Sequence, residues 1–388
     1  MHKELAKDLE ENNFIFNICG KKDYQNDIVK LFDNFFENKD NLSRYSNDYL
    51  VQDYINYSKN KFDGIDVCIS EVLELYRRGK QINPERTFLT FAQFQPITVE
   101  ISSKYWSMCK LQKDFSTLEE HEYVLECFSL IENVCEIILK KYFALIVQLV
   151  RISKNKESDL YELNKVEFGK LFDEIKNVHS IDHVFSIVNN EVRISQWRNI
   201  ACHKNYHYYD NGQIVCKYGR DLDKTVVVDT KEELLELACS IYKVSQVITM
   251  ANKFFLYDNI YAIHDVMEKT SIDIVSSRAE DWQLIFVTEL YANGFNVVEI
   301  KNTEKLIITV QDTKENEEKE RMTLMPIVAY KGWVFTDSKI INVTYVSKEG
   351  KSLISVELTA ETCEKVAKYE KPISYLAEKM IVQKIKKP

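Results

Sequence analysis

Within six consecutive residues, Arg198-Asn199-Ile200-Ala201-Cys202-His203, the chain gathers three side chains suited to breaking a phosphodiester. RNA carries its own nucleophile. Its 2′-hydroxyl attacks the adjacent phosphorus once a base takes its proton and an acid protects the leaving 5′-oxygen. An imidazole suits either task, because its ordinary pKa of about 6.5 lies close to working pH. His203 would therefore be the general acid or base, a contribution worth about 10²–10⁴-fold. The guanidinium of Arg198 can hold two oxygens of the crowded phosphorane with paired hydrogen bonds. Asn199 would orient the phosphate with a neutral amide. Lys204, Tyr206 and Arg193 could extend the surface toward substrate, Lys204 and Arg193 by charge and Tyr206 by stacking on a base. Each has a plainer role available: offsetting the helix dipole, making a salt bridge, or packing a strand.

Helix geometry limits what one copy can do. Asn199 and His203 are four apart and share a face, whereas Arg198 and His203 lie about 140° apart around the axis. Two copies facing each other across a two-fold axis could surround one phosphate, so a homodimer is the expected working form.

Other constellations are weaker. His203 and His207, like His179 and His183, have the i, i+4 spacing of metal ligands, but Lys204 and Ser180 stand where HExxH needs Glu, and no third ligand is apparent. Gly350-Lys351-Ser352 ends like a phosphate loop, yet Tyr345 occupies the position of its earlier glycine, and the segment reads as a hairpin turn. Cys202 and His203 are sequence neighbours about 100° apart on a helix, which does not make a nucleophile pair. No metal or other cofactor is expected.

The elements that must position these residues are mostly helical. Nine Gly and five Pro in 388 residues leave few interruptions. Ser116 and Glu119 form a capping-box pattern, after which Val124, Phe128, Ile131, Val134, Ile138 and Phe143 mark one long amphipathic helix to about Arg151. Shorter helices are expected at 167–177 and from 181, the latter leading through a break into the helix at 191–204. Asp210-Asn211-Gly212 then signals a tight turn between two short strands. Thr230 and Glu233 open a helix running through Leu234, Leu237, Ile241, Val244 and Ile248 to Phe255.

This arrangement resembles the HEPN superfamily of ribonucleases, whose motif is Arg, an adjacent polar residue, and His after four to six intervening positions. Here the count is four and the polar neighbour is Asn199. The resemblance covers roughly 111–265 and includes the preceding long helix, the hairpin and the final helix. It implies a helical bundle with an inserted β-hairpin and a metal-independent endoribonuclease acting as a homodimer. The products would carry 2′,3′-cyclic phosphate and 5′-hydroxyl ends. It further implies a toxin or antiphage abortive-infection effector, with an antitoxin or other regulatory partner. A non-catalytic RNA-binding or scaffolding protein is the alternative, and a metal hydrolase using His203 and His207 is a third reading.

Around that bundle, residues 1–110 read as a mostly helical region and 266–388 as an α+β domain of unassigned role. In the first, TFLTFAQFQPITVEI is aromatic and β-branched, which predicts an extended stretch ending at Pro96. In the second, a helix at 279–292 leads to strand-like VVEIK, KLIITVQ, PIVAY, WVFTD, KIINVTYV and SLISVEL, with a closing helix from Ala360. The run Asp312–Arg321 is nearly all charged and reads as solvated.

A formal charge of −9 argues against coating nucleic acid with the whole surface but allows a local basic cleft. Nine scattered cysteines with no CxxC pair, and the polar opening MHKELAKDLEENN, point to free thiols in a reducing cytoplasm. The apolar run IILKKYFALIVQLVRI is interrupted by Lys140, Lys141 and Gln148, so no membrane segment is expected.

Overall fold

The computed structural model describes residues 22–46, 50, 53–54, 57–58, 61–111, 115–156, 158–188, 191–272, 286–287, 290, 294–313, 321–336, 338–368 and 370–385. The opening segment 1–13, most of the helix expected at 279–292 and the interior of the charged run 314–320 lie outside them. The chain is mostly helical, with two small sheets. It divides into two compact units, one comprising 32–44 and 57–278, the other 1–31, 45–56 and 279–388. The division differs from that expected from sequence. Position 110 falls near the end of a helix that belongs wholly to the first unit, and 266 falls inside another.

Helices α1 (Lys22–Phe32) and α2 (Lys39–Tyr45) precede the main bundle. The bundle begins with α3 (Ile65–Ile82) and α4 (Pro84–Leu111). A single residue joins them. Asn83 ends α3, and its side chain accepts the Arg86 N–H at 3.0 Å to start α4. Pro84 follows as the first helical residue, where its missing N–H costs nothing. The stretch expected to be extended is therefore helix, with Pro96 inside it. Burial overrides local propensity here: Phe91 stacks on Phe255 at 4.4 Å, and Phe94 and Ile97 are buried.

The long helix expected through Arg151 exists, with an irregularity. It comprises α5 (Glu120–Asn133), a π-helical turn at Val134–Leu139, and α6 (Lys140–Ser153). The apolar positions singled out from sequence, from Val124 to Phe143, are all buried. Residues Tyr142–Val150 are buried without a break, so α6 is the central helix. The helix does not open at Ser116, where the Ser116–Glu119 pattern led one to expect its start. Ser116 sits in a 3-10 turn, and α5 starts after Glu119 with no side-chain cap.

The short α7 (Leu160–Leu163), α8 (Phe168–Lys176) and α9 (Asp182–Ser186) lead to α10 (Ile194–His203). Arg151 on α6 holds Glu174 on α8 with two parallel bonds of 2.8 and 2.7 Å. After α10 come β1 (Tyr206–Tyr208), β2 (Ile214–Tyr218) and β3 (Lys224–Val228), an antiparallel sheet rather than the single expected hairpin. The β-branched run KTVVV was the overlooked signal. The tight turn is as expected, with Gly212 at φ +87° and its N–H bonded to the Tyr209 carbonyl.

Thr230 caps α11 (Lys231–Asp258), accepting the Glu233 N–H at 3.1 Å, while Glu233 accepts from Asp229 N at 3.1 Å. By length and composition alone α11 could cross a membrane, but 56% of its most apolar window is buried inside the protein. The bundle ends with α12 (Ile260–Thr270), packed on α4.

The other unit holds a five-stranded sheet in sequence order: β4 (Phe295–Asn302), β5 (Leu306–Asp312), β6 (Ile340–Val346), β7 (Ser352–Thr359) and β8 (Ile381–Lys384). Only β5 and β6 pair in parallel, which requires a crossover. Helix α13 (Met325–Thr336) supplies it and corrects the expected strands PIVAY and WVFTD. A short apolar run reads alike as buried helix or strand, and here Met325–Ala329, Gly332 and Trp333 are buried. Helix α14 (Ala360–Ala367) does not close the chain, because α15 (Ser374–Lys379) and β8 follow. The Gly350 region is the β6–β7 turn. Beneath the sheet ends, Arg321 bonds buried Asp312 at 2.6 Å, and Tyr345 donates to the same carboxylate oxygen at 2.6 Å.

Candidate functional site

Helix α10 is amphipathic in the simplest sense. Ile194, Trp197, Ile200 and Ala201 face inward, and Trp197 is fully buried. The opposite side carries Arg198, Asn199, Cys202 and His203. Packing of this helix against α5, α8 and β2 therefore sets where the polar groups stand. Its end is well defined: Lys204 takes the left-handed conformation at φ 53°. The Asn205 N–H then bonds back to the Ile200 carbonyl at 3.0 Å, and the Lys204 N–H to Ala201 at 3.3 Å. This pair of bonds is a Schellman stop. It leaves His203 exposed as the last helical residue.

Arg198 is half-buried, its side chain 23% exposed. Its Nε donates to Glu136 Oε1 at 2.5 Å, and Nη2 ion-pairs with the same oxygen. Its Nη1 donates to Asn199 Oδ1 at 2.9 Å. The other Glu136 oxygen lies 3.4 Å from Lys140 Nζ. A guanidinium has five N–H donors in one plane. The described contacts take Nε and one N–H of Nη2 to Glu136 and one N–H of Nη1 to Asn199, so one N–H on each terminal nitrogen remains beyond them.

Three of the anticipated residues thus fall on one stretch of helix surface. Arg198 and Asn199 are bonded to each other, and His203 lies one turn beyond Asn199 on the same face. Lys204 is exposed beside His203. Arg193 does not join them. It sits at the opposite end of α10 and pairs with Asp173 at 3.3 Å across solvent. Tyr206 is half-buried, with its ring stacked on Phe128 at 3.9 Å, so one ring face is already covered. Tyr208 donates to Glu120 and is likewise engaged with α5.

Burial pushes the Cys202 thiol up to about 11; Arg198 works against the rise while Glu132 and Glu136 add to it, which disfavours the nucleophilic thiolate. Among the described residues no cluster of three or more His, Cys, Asp or Glu could hold a metal ion. A depression of about 530 Å³ in the same unit as α10 is lined by Glu37, Asn38, Lys39, Asp40, Lys80, Asp258 and Asn259 and includes none of the α10 residues. There the Asp258 carboxylate is already taken up by the N–H groups of Glu37 and Asn38.

The residue that sequence reasoning missed is Glu136. Its only signal in the sequence is an i, i+4 partner, Lys140, which is the commonest surface arrangement on any helix. Comparison with family models, with curated proteins and with solved structures gave no match.

Proposed function

We propose that the chain is a metal-independent endoribonuclease of the HEPN type. In this reading, two copies bring their α10 helices together around a single-stranded RNA. The observation that carries it is the arrangement on α10: a guanidinium held by Glu136 and Asn199, and an exposed imidazole on the same polar side. Imidazole nitrogen of His203 removes the 2′-hydroxyl proton, the oxygen forms a bond to phosphorus, and the P–O5′ bond breaks. The departing 5′-oxygen takes a proton from the His203 of the second copy. Arg198 neutralises charge on the phosphorane oxygens, where such donors act most strongly. Asn199 holds Arg198 and, through it, the phosphate. The ends left are a 2′,3′-cyclic phosphate and a 5′-hydroxyl.

A cytoplasmic toxin or antiphage effector, held in check by a regulatory partner, is the biological setting proposed for this chemistry. Incubation of the protein with single-stranded RNA in EDTA tests the reading. Cleavage should persist, His203→Ala should abolish it without lowering the melting temperature, and a DNA copy should survive because it lacks the attacking hydroxyl. RNA binding without cleavage would establish the scaffolding alternative, and cleavage lost in EDTA would establish a metal hydrolase.

A further inference from the structure

The geometry points to Glu136 as a positioning residue that aims Arg198 at the scissile phosphate. This inference rests on the ribonuclease reading and adds to it a residue on a different helix. Glu136 lies in the π-helical turn Val134–Leu139. Such turns insert one extra residue, displace side chains from the α-helical register, and recur at functional sites. Here the displaced turn faces α10, and the Glu136 carboxylate receives the inner edge of the Arg198 guanidinium.

Two features separate this contact from an incidental ion pair. First, Glu136 and Asn199 approach from different sides, one at Nε–Nη2 and one at Nη1, so the guanidinium plane is fixed in rotation as well as in place. An arginine with a single partner would swing about its last torsion. Second, Lys140 sits on the remaining Glu136 oxygen, so the carboxylate is itself shared between two cations. Lys140 thus shares the Glu136 charge, so Glu136 orients the guanidinium without by itself cancelling it; Glu132, beside Cys202, adds a second negative charge there.

The test uses the full-length protein and a fluorescently labelled single-stranded RNA, comparing wild type, Glu136→Ala, Glu136→Gln, Arg198→Lys and the Glu136→Ala/Arg198→Lys pair. Melting curves first establish that each variant folds; the Glu136 side chain is 28% exposed, so its removal opens no core cavity. Glu136→Ala should lower kcat by about 10- to 100-fold, the cost of a misplaced catalytic group, with KM changed by less than about threefold. Glu136→Gln keeps an acceptor oxygen for Nε and should recover most of that loss. In the Arg198→Lys background, Glu136→Ala should have almost no further effect, because the group it positions is gone. Full additivity of the two substitutions, unchanged kcat in Glu136→Ala, or a rise in kcat would overturn the assignment while leaving the ribonuclease reading intact. If wild type cuts no RNA, that reading falls and the role of Glu136 falls with it.

Discussion

Arg198→Lys keeps the charge and loses the geometry, which makes it the sharpest probe of the α10 arrangement. The guanidinium commits Nε and Nη2 to Glu136 and Nη1 to Asn199, and one N–H on each terminal nitrogen remains beyond these contacts. An ammonium has three donors radiating from one atom. It can keep Glu136 or reach toward phosphate, but it cannot present a planar pair to the phosphate while holding both existing partners. Loss of one preorganised donor in an anion-stabilising site costs about 10²–10³ in kcat, or roughly 3–4 kcal/mol. Ground-state attraction depends mainly on charge and should hardly change. The expected outcome is therefore a kcat lower by about two to three orders of magnitude with nearly unchanged RNA affinity. Single-turnover cleavage of labelled RNA gives the first quantity, and fluorescence anisotropy on the His203→Ala background gives the second. If Arg198→Lys cleaves within a few-fold of wild type, or if binding and cleavage fall together, the fork argument is wrong.

Further expectations concern groups beyond the reacting atoms. Cys202→Ser should retain cleavage, and iodoacetamide should label Cys202 only slowly at neutral pH, because the thiol is held near 11 and stays protonated. Rapid inactivation by alkylation at that position would contradict this. Thr230→Ala removes the oxygen that accepts the Glu233 N–H. It should cost about 1 kcal/mol, seen as a melting shift of roughly 2–4 °C for a unit of this size, with kcat untouched. Glu174 is held below its usual range chiefly by its hydrogen bonds from Arg151. A depressed carboxylate stabilises the fold above its unfolded value of 4.5 and loses that contribution as pH falls through the lower folded value. Glu174→Gln should accordingly flatten the acid limb of a melting-temperature profile below about pH 5. An unchanged limb would show that other carboxylates dominate.

How much of this was legible in the residues alone depends on the range of the interaction. The Thr230–Glu233 start of α11 and the Asp210-Asn211-Gly212 turn are local, set by side chains within a few positions, and both could be read directly. The amphipathic stripe from Val124 to Phe143 was legible for the same reason. What failed was set by distant partners. The run around Pro96 is helical because Phe91 finds Phe255, far along the chain. The segments PIVAY and WVFTD form a helix because a parallel pair needs a crossover above it. At the candidate site, the order Arg198-Asn199-His203 was visible, whereas Glu136 was not, since 62 residues separate it from the group it holds. Arg193 and Tyr206 were reasonable candidates by type; Arg193 is exposed but pairs with Asp173 at the far end of α10, and the Tyr206 ring is covered on one face by Phe128.

The π turn between α5 and α6 also absorbs an added residue without turning the helices on either side. Such a turn is wider than an α turn, so one more residue fits while α5 and α6 keep nearly the same phase. Removing one position from Val134–Leu139 would restore ordinary winding and leave the core stripe of α5 facing inward. What moves is the turn itself, and Glu136 would lose its approach to Arg198. A change of length here is thus felt at Arg198 more than in the core.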